Sequence, residues 1–379
     1  LINKERLVAE FMELVQVGSE SGREGRMAAL LKEKLAALGF GVTIDEAAKE
    51  IGTETGNIIA KLKGNVEAQP VLFCAHMDTV TPGMGIKPVE ESGIIRSAGD
   101  TVLGSDDKAG IAAILEAVRV LKEQEIPYGD LELVFTVCEE TGLSGAKALD
   151  YSRLTAKMGF VLDSDGQAGT IVNQGPSQDK IVAEMFGRAA HAGINPEDGI
   201  NAIQVASRAV AAMALGRIDE ETTANLGIIT GGKAVNIVPD RVTLQGETRS
   251  LNEQKRINQT GAICDALEKA ARDAGTKVQI NVETIYPAMF VPESEPVVRL
   301  AQKAAVKIGL KPEIKSTGGG SDTHILNQHG IPSVNLGIAM KKVHTTEEYI
   351  AVEDLVKDAE YVLAIIKEAA EKGLLCDQD

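Results

Sequence analysis

The chain has 379 residues, 44 % apolar and 25 % charged, the balance of an ordinary globular protein long enough for two domains. Its net charge of −16 argues against nucleic-acid binding and against a basic membrane-surface role. No apolar run is long enough to span a bilayer, and LINKERLVAE at the start lacks the apolar core of a signal peptide, so a cytoplasmic protein is expected.

In chain order, Leu7, Phe11, Leu14 and Val15 mark one face of a helix over 4–17. A second helix is expected over 24–38, stopped by Gly39. Short apolar strands follow at 57–61 and 71–75, then an apolar helix over 109–124 and strands at 131–137 and 159–162. Helices alternating with continuous apolar strands predict an α/β domain with a mostly parallel sheet, covered by helices on both faces. Near residue 176 the pattern changes to strand 179–186, helix 199–214 and strands 223–230 and 241–248, then helix 252–274 and strand 277–284. That β-α-β-β-α-β order is a ferredoxin-like α+β unit, complete in itself and predicted to be inserted. A helix at 295–308, a strand at 333–337 and a helix over 352–372 resume the α/β pattern. The outer domain is therefore expected to comprise 1–175 and 286–379, and the inserted one 176–285. Cys74, Cys138, Cys264 and Cys376 form no CxxC pair, which favours reduced thiols over disulfides or a cysteine metal site.

Five groups at element ends can carry chemistry, since open α/β sheets place ligands beyond the carboxyl ends of their strands. His76 and Asp78 flank Met77 after an apolar strand. They read either as a metal ligand with a carboxylate orienting its ring or as a core histidine beside a capping acid. Asp106 and Asp107 precede an apolar helix, where acids cap helices but can also bridge metals. Glu139 and Glu140 end a buried strand. They read as a solvated turn or as a base beside a ligand. Asp163 follows another buried strand, and His344 precedes the last helix, where an exposed loop histidine is the alternative. Histidine mixed with carboxylate suits Zn²⁺, Co²⁺ or Mn²⁺, and a bridging carboxylate suits two ions ~3.5–4 Å apart. Gly318-Gly319-Gly320 is not a dinucleotide fingerprint and reads as a loop able to approach a ligand closely.

HMDTV at 76–80, GSDDKAG at 104–110, CEETG at 138–142, LDSD at 162–165, RAAHAGINPEDGINAI at 188–203, GGGSD at 318–322 and VHTTEEY at 343–349 fall in one order. By these motifs the chain resembles the M20 family of metallopeptidases, in its peptidase T-like (aminotripeptidase-like) branch, over nearly its whole length. The resemblance implies a zinc exopeptidase-like domain carrying a lid and dimerisation domain, hence a homodimer. It also implies hydrolysis of short peptides with two divalent ions, expected to be zinc, with cobalt or manganese as alternatives. His76, Asp106 and Asp163 would hold one ion, and Asp106, Glu140 and His344 the other. Glu139 would act as general base toward a metal-bridging water, and Asp78 would orient His76. His191 would bind the scissile carbonyl oxygen, Arg249 the substrate carboxylate, and Asn236 and Gly319 would add substrate contacts. His324 departs from the small or amide residue of many relatives and reads as a helix cap or a substrate contact. The same scaffold also carries N-acyl-amino-acid deacylases, and a non-catalytic metal-binding or assembly protein is a third reading.

Overall fold

The computed structural model describes residues 1–371, so Cys376 and the end of the helix expected over 352–372 lie outside the described residues. The chain divides into two compact units. One comprises Leu1–Asn173, Phe290–Ser316 and the chain from Ser321 onward; the other comprises Gln174–Met289 with the loop Thr317–Gly320.

The first unit is built on a sheet whose four central strands are parallel: Leu131–Thr136, Val71–His76, Gly159–Ser164 and Ser333–Gly337. Ile58–Leu62 and Gly41–Ile44 extend it antiparallel on one side, and Thr170–Gly175 pairs antiparallel with Ser333–Gly337 on the other. The central strands are buried along nearly their whole length and mostly apolar because both faces are covered. Alternate side chains go to different cores, as the two-residue period of a strand requires. Phe73, Ala75, Leu133 and Phe160 join the larger cluster, while Leu72, Cys74, Val134 and Val161 join the smaller one with Leu326 and Ile331. Helices Lys4–Gln16 and Val352–Ala370 pack on Ser105–Glu123 over the larger cluster. Because four strands run parallel, their carboxyl ends share one edge.

The second unit is an antiparallel sheet in the order Thr222–Gly231, Arg241–Ser250, Ser177–Phe186, Val278–Tyr286, with the two-residue strand Gly216–Arg217 at the edge beside Thr222–Gly231 and helices Ala202–Ala212 and Glu253–Asp273 connecting the main strands. This is the ferredoxin-like order. Asn201 and Asn252 start the two helices, each accepting a backbone N–H three residues on.

Several elements differ from the pattern-based expectation. The helix expected from 109 is entered at Ser105, with Asp106 and Asp107 in non-helical conformations and joined by a cis peptide bond. The strand expected to stop at 162 runs to Ser164, so Asp163 lies within the strand and not after it. Pro88–Glu91 and Ile94–Ser97 form a hairpin that pairs with Tyr349–Ala351, a long-range contact with no local signal. Strand Thr170–Gly175 and helix Asp322–Gln328 are further elements that the sequence pattern does not announce.

Candidate metal centre

Three of the parallel strands deliver the first groups. Val71–His76 ends on His76, Gly159–Ser164 carries Asp163, and Leu131–Thr136 leads through Val137 and Cys138 to Glu139 and Glu140. The entry to helix Ser105–Glu123 supplies Asp106 and Asp107. That helix lies tight against the Asp163 strand: a Cβ on Gly110 would fall 2.7 Å from the Leu162 carbonyl oxygen and 2.6 Å from Asp107 Oδ1. Cys138 and His344 adopt left-handed backbone (φ 51° and 62°), which is uncommon for non-glycine residues.

Asp106 sits between two histidines. Its Oδ1 is 3.0 Å from His76 Nε2, and its Oδ2 is 3.2 Å from His344 Nε2. Glu140 Oε1 lies 2.9 Å from the same His344 nitrogen, and Asp163 Oδ1 lies 3.7 Å from His76 Nε2. One Nε2 proton of His344 cannot serve both carboxylates at once. Ligand atoms of His76, Asp106 and Glu140 lie within 4.8 Å of one another, as do those of His76, Asp107 and Asp163.

Asp78 is fully buried and organises the group from behind. It accepts the backbone N–H of Glu139 (3.0 Å) and of Glu140 (3.3 Å) and the Ser21 hydroxyl (2.7 Å). Its backbone oxygen is 3.0 Å, and its Oδ1 3.4 Å, from His76 Nδ1. Burial raises its pKa, but His76 and these donors hold it below the ordinary carboxylate value. Asp107 Oδ2 accepts the His76 backbone N–H at 3.1 Å, leaving Oδ1 buried and without a partner among the described residues.

The electrostatics call for a cation. Burial, with Glu139 and Asp106 nearby, pushes Asp163 well above its ordinary value, and burial does the same to Glu139. Burial disfavours a charged His76, yet Asp106 and Asp78 outweigh it and hold the ring well above its usual pKa. His344 is raised to about 10, chiefly by Asp106 and then Glu140. Acids that draw a proton onto two imidazoles would draw a divalent cation there as well. The donor set of imidazole nitrogens, crowded carboxylates and an unpartnered buried carboxylate oxygen fits bound metal.

His191, Asn236, Arg249 and Gly319 belong to the second unit. His191 is exposed, and its Nδ1 accepts the Gly193 N–H at 3.1 Å, which leaves Nε2 to carry the proton of the neutral ring. Asn236 accepts the Ala192 N–H through its backbone oxygen. Arg249 is held by Glu247 at 3.0 and 3.1 Å and donates to the Gly318 carbonyl at 3.2 Å. Of the three loop glycines, Gly320 makes the tight approach, since a Cβ there would lie 2.2 Å from the Tyr286 ring. In the first unit, His324 completes a capping box with Ser321 at the start of Asp322–Gln328.

Sequence reasoning does not single out Ser21, Lys108, Asp322 or Glu348. Lys108 is fully buried, and Asp322 accepts from Thr136 Oγ1 at 2.5 Å beneath the site. Their placement depends on long-range contacts that no local pattern reports.

A model of the peptidase family M20/M25/M40 matches residues 72–368. The YqjE protein of Bacillus subtilis is 47 % identical over 370 residues, spanning 98 % of this chain and 100 % of that protein. The fold is similar to that of aminopeptidase PepT from Bacillus cereus, with TM-score 0.89, 47 % identity, and 98 % and 100 % of the two chains covered. It is also similar to a tripeptidase from Staphylococcus aureus, with TM-score 0.94, 43 % identity, and 97 % and 99 % covered. The chain belongs to the peptidase family M20/M25/M40, on its peptidase T-like branch.

Proposed function

We propose that this peptidase is a two-metal exopeptidase that acts at the amino end of short peptides, tripeptides among them. The observation that carries the reading is Asp106, whose two carboxylate oxygens each face a different histidine. His76, Asp106 and Asp163 would hold one ion, and Asp106, Glu140 and His344 the other. Asp107 is engaged by the His76 backbone and would stay a supporting group. Zinc matches this donor set, and cobalt or manganese would suit it too. When bound, the ions supply Lewis acidity and bring the pKa of water toward neutrality.

Glu139 is the group suited to move the proton. It is buried, and its carboxyl is held above the ordinary range chiefly by burial, as a general base needs near neutral pH. It would take the proton of the attacking water and pass it to the leaving amine. Asp78 would align His76, Glu139 and Glu140 together. His191 would donate from Nε2 to the scissile carbonyl oxygen. Arg249 would receive the substrate carboxylate, its charge already oriented by Glu247, with Asn236 and Gly319 adding contacts.

The second unit presents Ile228 and Ile229, both more than half exposed, on the strand Thr222–Gly231. These apolar side chains support a homodimer through that unit. The free thiols of Cys74, Cys138 and Cys264 suit a cytoplasmic protein, and finding those thiols oxidised in freshly lysed cells would oppose that placement. No helix among the described residues is long and apolar enough to cross a membrane.

Glu139→Gln tests the assignment. The expected result is a kcat lower by roughly 10²–10⁴-fold with the metal content of the parent protein. Wild-type kcat in this variant would remove Glu139 from the base role.

A further inference from the structure

The loop over 342–348 is closed at its base by Lys341 and Tyr349, which exchange backbone hydrogen bonds at 3.0 and 3.1 Å. Beyond the base, Tyr349–Ala351 pairs with Ile94–Ser97, so the loop stands on a paired strand. Inside the loop, Thr345 Oγ1 donates to the Lys342 carbonyl at 2.7 Å, and the Glu348 N–H to the Thr345 carbonyl at 3.2 Å. His344 stands on this loop.

Glu348 stands on the same loop, and it is only 2 % exposed. Its Oε2 accepts the backbone N–H of Leu103 at 2.7 Å and of Gly104 at 2.8 Å. Its Oε1 accepts the Ser105 hydroxyl at 2.5 Å and the Asp106 N–H at 3.1 Å. All four donors belong to the segment that delivers Asp106. Gly104 in that segment turns through left-handed backbone (φ 73°), so the segment is not continued from a regular element that would fix it by itself. Asp106 is therefore held at both ends by one closed loop: Glu348 takes its backbone N–H, and His344 faces its carboxylate at 3.2 Å.

The geometry points to Glu348 as a positioning residue that sets the register between His344 and Asp106, and thereby the affinity of the site for the ion those two would share. This rests on the two-metal reading above. A carboxylate is suited to the task because both of its oxygens accept, and all four donors are satisfied. A glutamine of the same shape has one accepting oxygen and must leave one pair of donors unmet in a buried place. Ser105 supplies one donor of the four, and its removal leaves the three backbone bonds intact.

The test is a titration of metal-free protein with Co²⁺, followed by visible absorption, on wild type, Glu348→Gln and Ser105→Ala. Tripeptide kinetics and the denaturant midpoint of each metal-free form are measured alongside. Wild type is expected to take up two Co²⁺ per chain. Glu348→Gln is expected to bind one of the two ions roughly 10–100-fold less tightly. Its kcat should fall while KM for the peptide holds, and Ser105→Ala should lie between it and wild type. Two ions bound by Glu348→Gln with wild-type affinity would overturn the inference, even if its metal-free form unfolded earlier, because that is the result of a purely structural role. Should Glu348→Gln fail to fold, Ser105→Ala decides: weakened Co²⁺ binding supports the inference, and wild-type affinity overturns it. Fewer than two Co²⁺ on wild type would instead bring down the two-metal reading, and this inference with it.

Discussion

Glu132 and Asp358 are both buried carboxyl groups of the first unit, and their surroundings push them in opposite directions. Burial raises the pKa of Glu132, but Lys61 at 2.7 Å and the donors of Thr155 and Ala156 hold it below the ordinary value. Asp358, on the helix Val352–Ala370, has no hydrogen-bond partner on either oxygen among the described residues. Burial and then Asp354 push it well above its ordinary value. An acid whose pKa is raised by folding holds its proton longer in the folded state than in the unfolded one. Stability is therefore lost as pH climbs above the unfolded value of about 4. Asp358→Asn removes this loss, so the variant should be more stable than the parent at pH 8. The difference should shrink toward pH 4. Denaturant midpoints across that range check it, and a variant less stable at pH 8 would contradict the account. The acids of the metal centre are crowded in the same way. They differ in having two histidines among them, with ligand atoms close enough to share a cation.

Among the elements, those with a local period are legible in the sequence. The runs Val71–His76 and Leu131–Thr136 are buried throughout and mostly apolar because they are covered on both faces, and the β-α-β-β-α-β order shows itself in the change of pattern near residue 176. The pairing of the hairpin Pro88–Glu91 and Ile94–Ser97 with Tyr349–Ala351 is not legible, because the two lie far apart in sequence. The same reason hides Glu348, whose four donors precede it by more than 240 residues. His76, Asp106, Glu140 and His344 stand out by their placement at element ends, yet each has an ordinary alternative until the fold brings them together. Asp163 reads in the sequence as a residue after its strand, and it lies inside one. The strand Thr222–Gly231 carries the proposed dimer contact, with Ile228 and Ile229 both exposed next to a register shift between Leu226 and Ile228. Replacing both isoleucines by glutamate should reduce the sedimenting species from two chains to one. A wild-type protein that already sediments as one chain would contradict the dimer.

At the scale of the whole molecule, the candidate ligands come from five separate stretches of the first unit, so the site exists only when that unit is folded. Ions that bind the folded chain and not the unfolded one stabilise it by mass action, which links metal content to stability as well as to turnover. A net charge of −16 is compatible with this because several of the acids crowd one buried place where cations would answer them. The most direct measurement of the central claim follows hydrolysis of one tripeptide, with its amino end free or acetylated, by metal-stripped protein as zinc is added back. The stripped protein should be inactive. The free tripeptide should then be cleaved at a rate that rises until two zinc ions per chain are bound, while the acetylated one stays intact. Undiminished cleavage by the stripped protein, or cleavage of the acetylated peptide in preference to the free one, would contradict the account.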